Sequence, residues 1–169
     1  MEATNNLKLN IDVKQILSVL SSSLYKGDVL EVATRELLQN SFDAVKGNVQ
    51  ARIEFKWDDM HRCLTVRDNG CGMSPTTVRE VFFTVGGTLK EGLDVSERSG
   101  GFGIAKVQFF MAAKRVSIRS CRHGVVTFAE ATQEQLLEGT GKFLIQDASD
   151  YADAFENFTE VLLFFPESY

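Results

Sequence analysis

Cysteine and histidine are both scarce in this 169-residue chain, with three of the first and two of the second. Cys63, Cys71 and Cys121 are odd in number and show no CxxC spacing, so neither a disulfide framework nor a zinc site is indicated and a reducing compartment fits best. Long hydrophobic runs are missing too. No stretch approaches the roughly 20 apolar residues that cross a bilayer, and the polar N-terminus has no apolar run behind it, so neither a span nor a signal peptide is expected. The chain reads as cytoplasmic. Positive charge is in deficit: 18 Lys and Arg against 23 Asp and Glu leave a net charge of -5. That balance is wrong for a domain that binds by neutralising nucleic-acid phosphates, so nucleic acid is not indicated as a partner. Internal repeats, low-complexity tracts and interdomain linkers are also absent. What is present is 44% hydrophobic content, enough to bury one good core, and a single domain over 1–169 is expected.

Residues 12–24 carry Val13, Ile16, Leu17 and Leu20 at helical spacing. A second helix is expected from an Asp28 N-cap to Val45, stopped by Gly47-Asn48, with a core-facing stripe of Leu30, Thr34, Leu37, Ser41 and Val45. Alternation over 49–57 and 62–67, with Asp58-Asp59-Met60-His61 between, predicts a hairpin whose second strand ends at Asp68. Pro75 opens a short helix through Phe83. A polar loop punctuated by Gly86, Gly87, Gly92, Ser96 and Ser99 follows, and helix resumes over 102–113. Strands are expected over 115–120, 124–130, 142–146 and 158–165, while 132–157 mixes helix and strand signals. The sum is an α+β fold: a two-layer α/β sandwich with a sheet of about five or six strands and its helices on one face.

Three polar segments stand out against that frame. On the second helix, Glu36, Asn40 and Asp43 fall at i, i+4 and i+7 and share one face. An amide oxygen from Asn40 beside nucleotide oxygens is sufficient protein ligation for magnesium, which keeps most of its waters. Glu36, one turn away, is placed to accept a proton from an attacking water. At the end of the second strand, Asp68-Asn69-Gly70-Cys71-Gly72-Met73 sets a carboxylate among glycines, so backbone can approach a flat ligand while the acid accepts from an exocyclic amine such as adenine's. Further on, Gly100-Gly101-Phe102-Gly103 enters a helix whose free N–H groups attract phosphate, without a Walker A ending or a preceding Rossmann strand. Singly these read as a solvated helix face, a turn and a hinge; together they suggest a nucleotide site. Cys71 reads as a small buried hydrophobe.

On these residues the chain resembles a GHKL ATPase domain, the group named for gyrase, the ninety-kilodalton heat-shock chaperones, histidine kinases and MutL. Glu36 to Ala44 resembles the N box, Asp68 to Gly72 the first glycine box, and Gly101 to Gly103 the second. Phe158-Thr159-Glu160-Val161-Leu162 resembles the family's closing strand, although the family usually has glycine where Phe158 stands. The resemblance implies the Bergerat fold, a mixed and mostly antiparallel sheet. It also implies Mg2+-dependent ATP binding and slow hydrolysis, with Glu36 as general base, Asn40 as magnesium ligand, Asp68 as adenine anchor and Thr159 helping to hold the base. Asp43, Gly70, Gly72 and Met73 would line the nucleotide, and Gly101, Phe102, Gly103 and Ile104 would form the phosphate loop. Lys106 is open between phosphate contact and a surface role. The 17–44 segment is most similar to the heat-shock chaperone N-terminal domain, which implies an N-terminal strap over 1–26, a lid over 84–100, a homodimer formed through either, and further domains or protein partners. A protein kinase of the same fold and a non-hydrolysing, nucleotide-dependent interaction module are the alternatives.

Overall fold

The computed structural model describes residues 28–84, 112–147 and 156–167, together with Gln15 and Phe110. Helix α1 (Val29–Ala44) begins where expected: the Asp28 side chain accepts from the Leu30 amide, and the amide of its C-cap Val45 returns to Ser41 and Asp43. Strands β1 (Ile53–Asp58) and β2 (Cys63–Asp68) form the hairpin, with Asp58 paired to Cys63. A short helix α2 (Pro75–Thr77), capped by the Ser74 hydroxyl, runs into a π-helical turn, Val78–Phe82. Strands β3 (Arg115–Arg122) and β4 (Val125–Thr132) are joined through His123 and Gly124, both at positive φ as a two-residue hairpin loop demands. Helix α3 (Gln133–Glu138) opens on a Thr132–Gln135 capping box. Strands β5 (Lys142–Asp147) and β6 (Phe158–Phe164) complete one six-stranded sheet, in the order β1-β2-β6-β3-β4-β5.

The mostly antiparallel sheet is antiparallel at every pairing among the described residues. The first strand starts at Ile53 rather than Val49, because side chains take over the bonds a ladder would supply. Asn48 Oδ1 accepts from the Gln50 amide, while Asn69 accepts from the Arg52 amide and donates to the Gln50 carbonyl.

Register puts Leu64, Val66, Val161, Leu163, Val116 and Ile118 on one face, where they pack against Ala33 and Leu37 of α1 and Val78 and Phe82 of the π-helical turn. Leu64, Ile118 and Leu163 are wholly buried, each contributing about 1.5–3 kcal/mol by removal from water. The α1 stripe is shifted from its expected line: Val32 and Ala33 join Leu37, Ser41 and Val45 inside, and Thr34 is only half-buried. On the opposite face the Arg67 and Arg119 guanidiniums lie over the Phe158 ring and share Glu160. The expected helix over 12–24 falls outside the described residues, apart from the helical Gln15. So do most of the 102–113 helix and the strap and lid segments, except Gln15 and Thr84.

Candidate functional site

The last residue of β2, Asp68, is 4% exposed, on the helix-covered face of the sheet. Burial pushes its carboxyl above the ordinary aspartate range, opposed by two hydrogen bonds to the charged form. The Gly70 amide donates to Oδ1 at 2.9 Å and the Ser41 hydroxyl to Oδ2 at 2.9 Å. Helix α1 is therefore tied to the strand end by a buried serine one residue past Asn40. In register beside Asp68 come Thr159 on β6 and Ser120 on β3, which makes a buried polar row across an apolar face. Ser120 Oγ accepts from the Met73 amide at 2.8 Å, donates to the Phe158 carbonyl at 2.8 Å and lies 3.0 Å from Thr159 Oγ1.

Glycines let the chain after Asp68 thread between α1 and β3. A Cβ on Gly70 would stand 2.6 Å from the Ala44 carbonyl carbon and oxygen, and one on Gly72, at φ +64°, would overlap the Cys121 carbonyl oxygen. The turn is pinned further by the Cys71 amide donating to Ala44 O at 3.1 Å. Above the polar row lies a cavity of about 430 Å³, within the range of small-molecule sites. Leu37, Val66, Val81, Phe82 and Val161 form much of its wall, and Asn40, Asp43, Asp68 and Thr159 converge on it. This is apolar lining with a few fixed polar groups, suited to a flat heterocycle.

A family model described as histidine kinase-, DNA gyrase B- and HSP90-like ATPase matches residues 28–161. The chain belongs to this ATPase family. Among curated relatives, the chaperone protein HtpG of Coxiella burnetii (strain RSA 331 / Henzerling II) is 29% identical over an alignment covering 96% of this chain and 28% of that protein. That of Actinobacillus succinogenes is 29% identical over 95% and 28%, and that of Cronobacter sakazakii 29% over 82% and 25%. The chain spans about a quarter of the length of these relatives. The resemblance to the heat-shock chaperone N-terminal domain, expected from the 17–44 segment, agrees with these matches.

Of the residues singled out from the sequence, Asn40, Asp43, Asp68, Gly72, Met73 and Thr159 all line the same cavity, and Gly70 in the adjoining turn is buried. Glu36 is half-buried one helical turn before Asn40 and is not among the residues lining that cavity. Gly101, Phe102, Gly103, Ile104 and Lys106 lie outside the described residues. Cys71 lines the cavity but is exposed, contrary to the buried hydrophobe expected, because Gly70 and Gly72 tuck in on either side and turn it outward. Sequence reasoning missed Ser41 and Ser120 as site residues. Ser41 was legible as an inward position and Ser120 as the inward end of an alternating strand, yet only the pairing of distant strands shows what their hydroxyls hold.

Ser41→Ala removes a donor to the buried carboxylate and is expected to destabilise the domain by about 1–3 kcal/mol at neutral pH. The folded pKa of Asp68 already lies above its unfolded value, so the stability linked to this group falls as pH rises through that interval. Loss of Ser41, which favours the ionised form, lifts the folded pKa further. The deficit of the variant therefore grows from acid to neutral pH, and urea unfolding at both ends of the window measures it.

Proposed function

We propose that this domain binds Mg2+-ATP and hydrolyses it slowly to drive a conformational switch, acting as the ATPase module of a longer chaperone-type protein. The observation that carries the reading is Asp68, a buried carboxylate already oriented by Ser41 and Gly70 at the floor of an apolar cavity. Each of its oxygens retains a lone pair for a donor edge, and the exocyclic amine of adenine supplies one. Leu37, Val66, Val161 and Met73 would exclude water around the base.

The donor set suits magnesium in one form only. No group of three or more His, Cys, Asp or Glu side chains could cage a metal among the described residues. Asn40 on the cavity wall offers a single amide oxygen, which fits an ion held mainly by phosphate oxygens and water. Such an ion would neutralise phosphate charge. Glu36, one turn back along α1, is proposed as the general base that takes a proton from the attacking water, with the 84–100 segment as the lid that excludes bulk solvent. The proposed setting is the cytoplasm, and the three cysteines are free thiols. Proposed partners are a second copy, engaged through the N-terminal segment or the lid, and the further domains implied by relatives about four times as long.

Glu36→Ala is expected to keep affinity for a nonhydrolysable ATP analogue while phosphate release falls by about 10²–10⁴-fold. Calorimetry paired with a phosphate assay tests this, and undiminished release would remove Glu36 from the mechanism. The position of Glu36 off the cavity wall favours a second reading, a non-hydrolysing module that captures partners when nucleotide is bound. That reading predicts nucleotide-dependent partner binding with no phosphate release from the wild type.

A further inference from the structure

We infer that Ser120 is a positioning residue for base selectivity: it turns the Thr159 hydroxyl into a pure acceptor, so that the cavity floor takes an amino-bearing purine and refuses a keto one. The inference rests on the nucleotide reading above and deepens it. Among the described residues Ser120 Oγ has three polar neighbours: the Phe158 carbonyl at 2.8 Å, the Met73 amide nitrogen at 2.8 Å and Thr159 Oγ1 at 3.0 Å. A carbonyl oxygen only accepts, so the single Ser120 proton goes to Phe158. An amide N–H only donates, so one Ser120 lone pair is taken by Met73. The remaining lone pair faces Thr159, and the Thr159 proton must point at it, since any other arrangement sets two lone pairs against each other.

Thr127 stands opposite Ser120 on β4 and does not disturb this assignment, because its buried hydroxyl has no hydrogen-bond partner among the described residues. Ser120 itself is fully buried, so water has no access to offer a substitute.

The consequence reaches the ligand. Thr159 presents lone pairs to the cavity, Asp68 presents carboxylate oxygens, and the Ser41 proton is already given to Asp68. None of these floor groups has a proton to give. A purine whose exocyclic group is an amine brings the missing donors. A purine with a keto oxygen in that place sets the oxygen against lone pairs; its one edge proton, on N1, lies at the neighbouring ring position, so the acceptors facing the exocyclic group stay unmatched, the situation in which binding sites discriminate most strongly.

The test is calorimetric titration of ADP and of inosine diphosphate into the whole chain as wild type, Ser120→Ala, Thr159→Val and the double variant, with folding checked by circular dichroism. The wild type is expected to prefer ADP. Ser120→Ala frees the Thr159 proton to turn toward a keto oxygen, so the ADP-to-inosine diphosphate affinity ratio should fall about tenfold. In the Thr159→Val background the same Ser120 substitution should leave the ratio unchanged. Should Ser120→Ala not fold, Ser120→Cys replaces it, and its weakly accepting thiol should produce a smaller fall in the same direction. A Ser120 variant that weakens both ligands by one common factor overturns the inference, as does a wild type that binds both ligands equally. A wild type that binds neither overturns the nucleotide reading and this inference with it.

Discussion

Asp68→Asn is expected to weaken binding of a nonhydrolysable ATP analogue about thirty- to a hundredfold, the equivalent of ~2–3 kcal/mol for charge-assisted hydrogen bonds, with the fold intact. The Gly70 amide is a fixed donor, so the asparagine oxygen must take the place of Oδ1 and its NH2 the place of Oδ2. Ser41 can rotate to accept from that NH2, which keeps the helix tied to the strand. The cavity floor then presents an N–H where a lone pair stood, and the amine of an adenine meets a donor instead of an acceptor. Stability should move the other way. Burial already holds the Asp68 carboxyl above its ordinary range, so a neutral isostere removes a desolvation cost and the variant should melt at the same temperature as the wild type or higher. Affinity by calorimetry and melting by circular dichroism separate the two effects. An unchanged affinity would remove Asp68 as the anchor of the base.

Much of this arrangement was legible because short-range rules act at the residues concerned. Asp28 and Gly47 bracket α1, the strands expected over 62–67, 142–146 and 158–165 fall within a residue of those observed, and the acid ending β2 is placed by the period of two that puts Leu64 and Val66 inside. The errors fall where side chains or distant strands override local pattern. Residues 49–52 alternate like a strand but bond to Asn48 and Asn69 instead. The helix opened by Pro75 widens into a π-helical turn, a bonding pattern that residue spacing does not specify. At Phe158, where the resemblance implies glycine, the ring lies under two guanidiniums on the far face while the carbonyl accepts from Ser120, contacts that no local pattern specifies. The six cavity residues named from the sequence converge as a set, yet the hydroxyl network behind them depends on β2, β6 and β3 lying side by side, and that order is not chain order.

Gly72→Ala is expected to be the most damaging single substitution in the described part of the domain, costing about 4 kcal/mol or more from overlap and backbone strain combined. Two penalties coincide at this residue. Its φ of +64° disfavours any Cβ, and the added atom would overlap the Cys121 carbonyl oxygen, part of β3 in the middle of the sheet. The turn has little room to retreat, because a Cβ-sized shift on its other side meets the Ala44 backbone under Gly70, and Met73 is held to Ser120. Gly124 supplies the internal control. It has φ +76° in the β3–β4 hairpin but nothing within 4 Å of its added Cβ, so Gly124→Ala carries the backbone penalty alone, about 1 kcal/mol. The difference of ~3 kcal/mol should separate the two melting temperatures by about 6–12 °C for a domain of this size. Any Gly72→Ala protein that folds should also bind nucleotide poorly, since relief of the overlap pushes Met73 and Gly72 into the cavity they line. Equal melting temperatures for the two variants would mean that the turn is free to move off β3, and the tight threading between α1 and the sheet would lose its role in shaping the site.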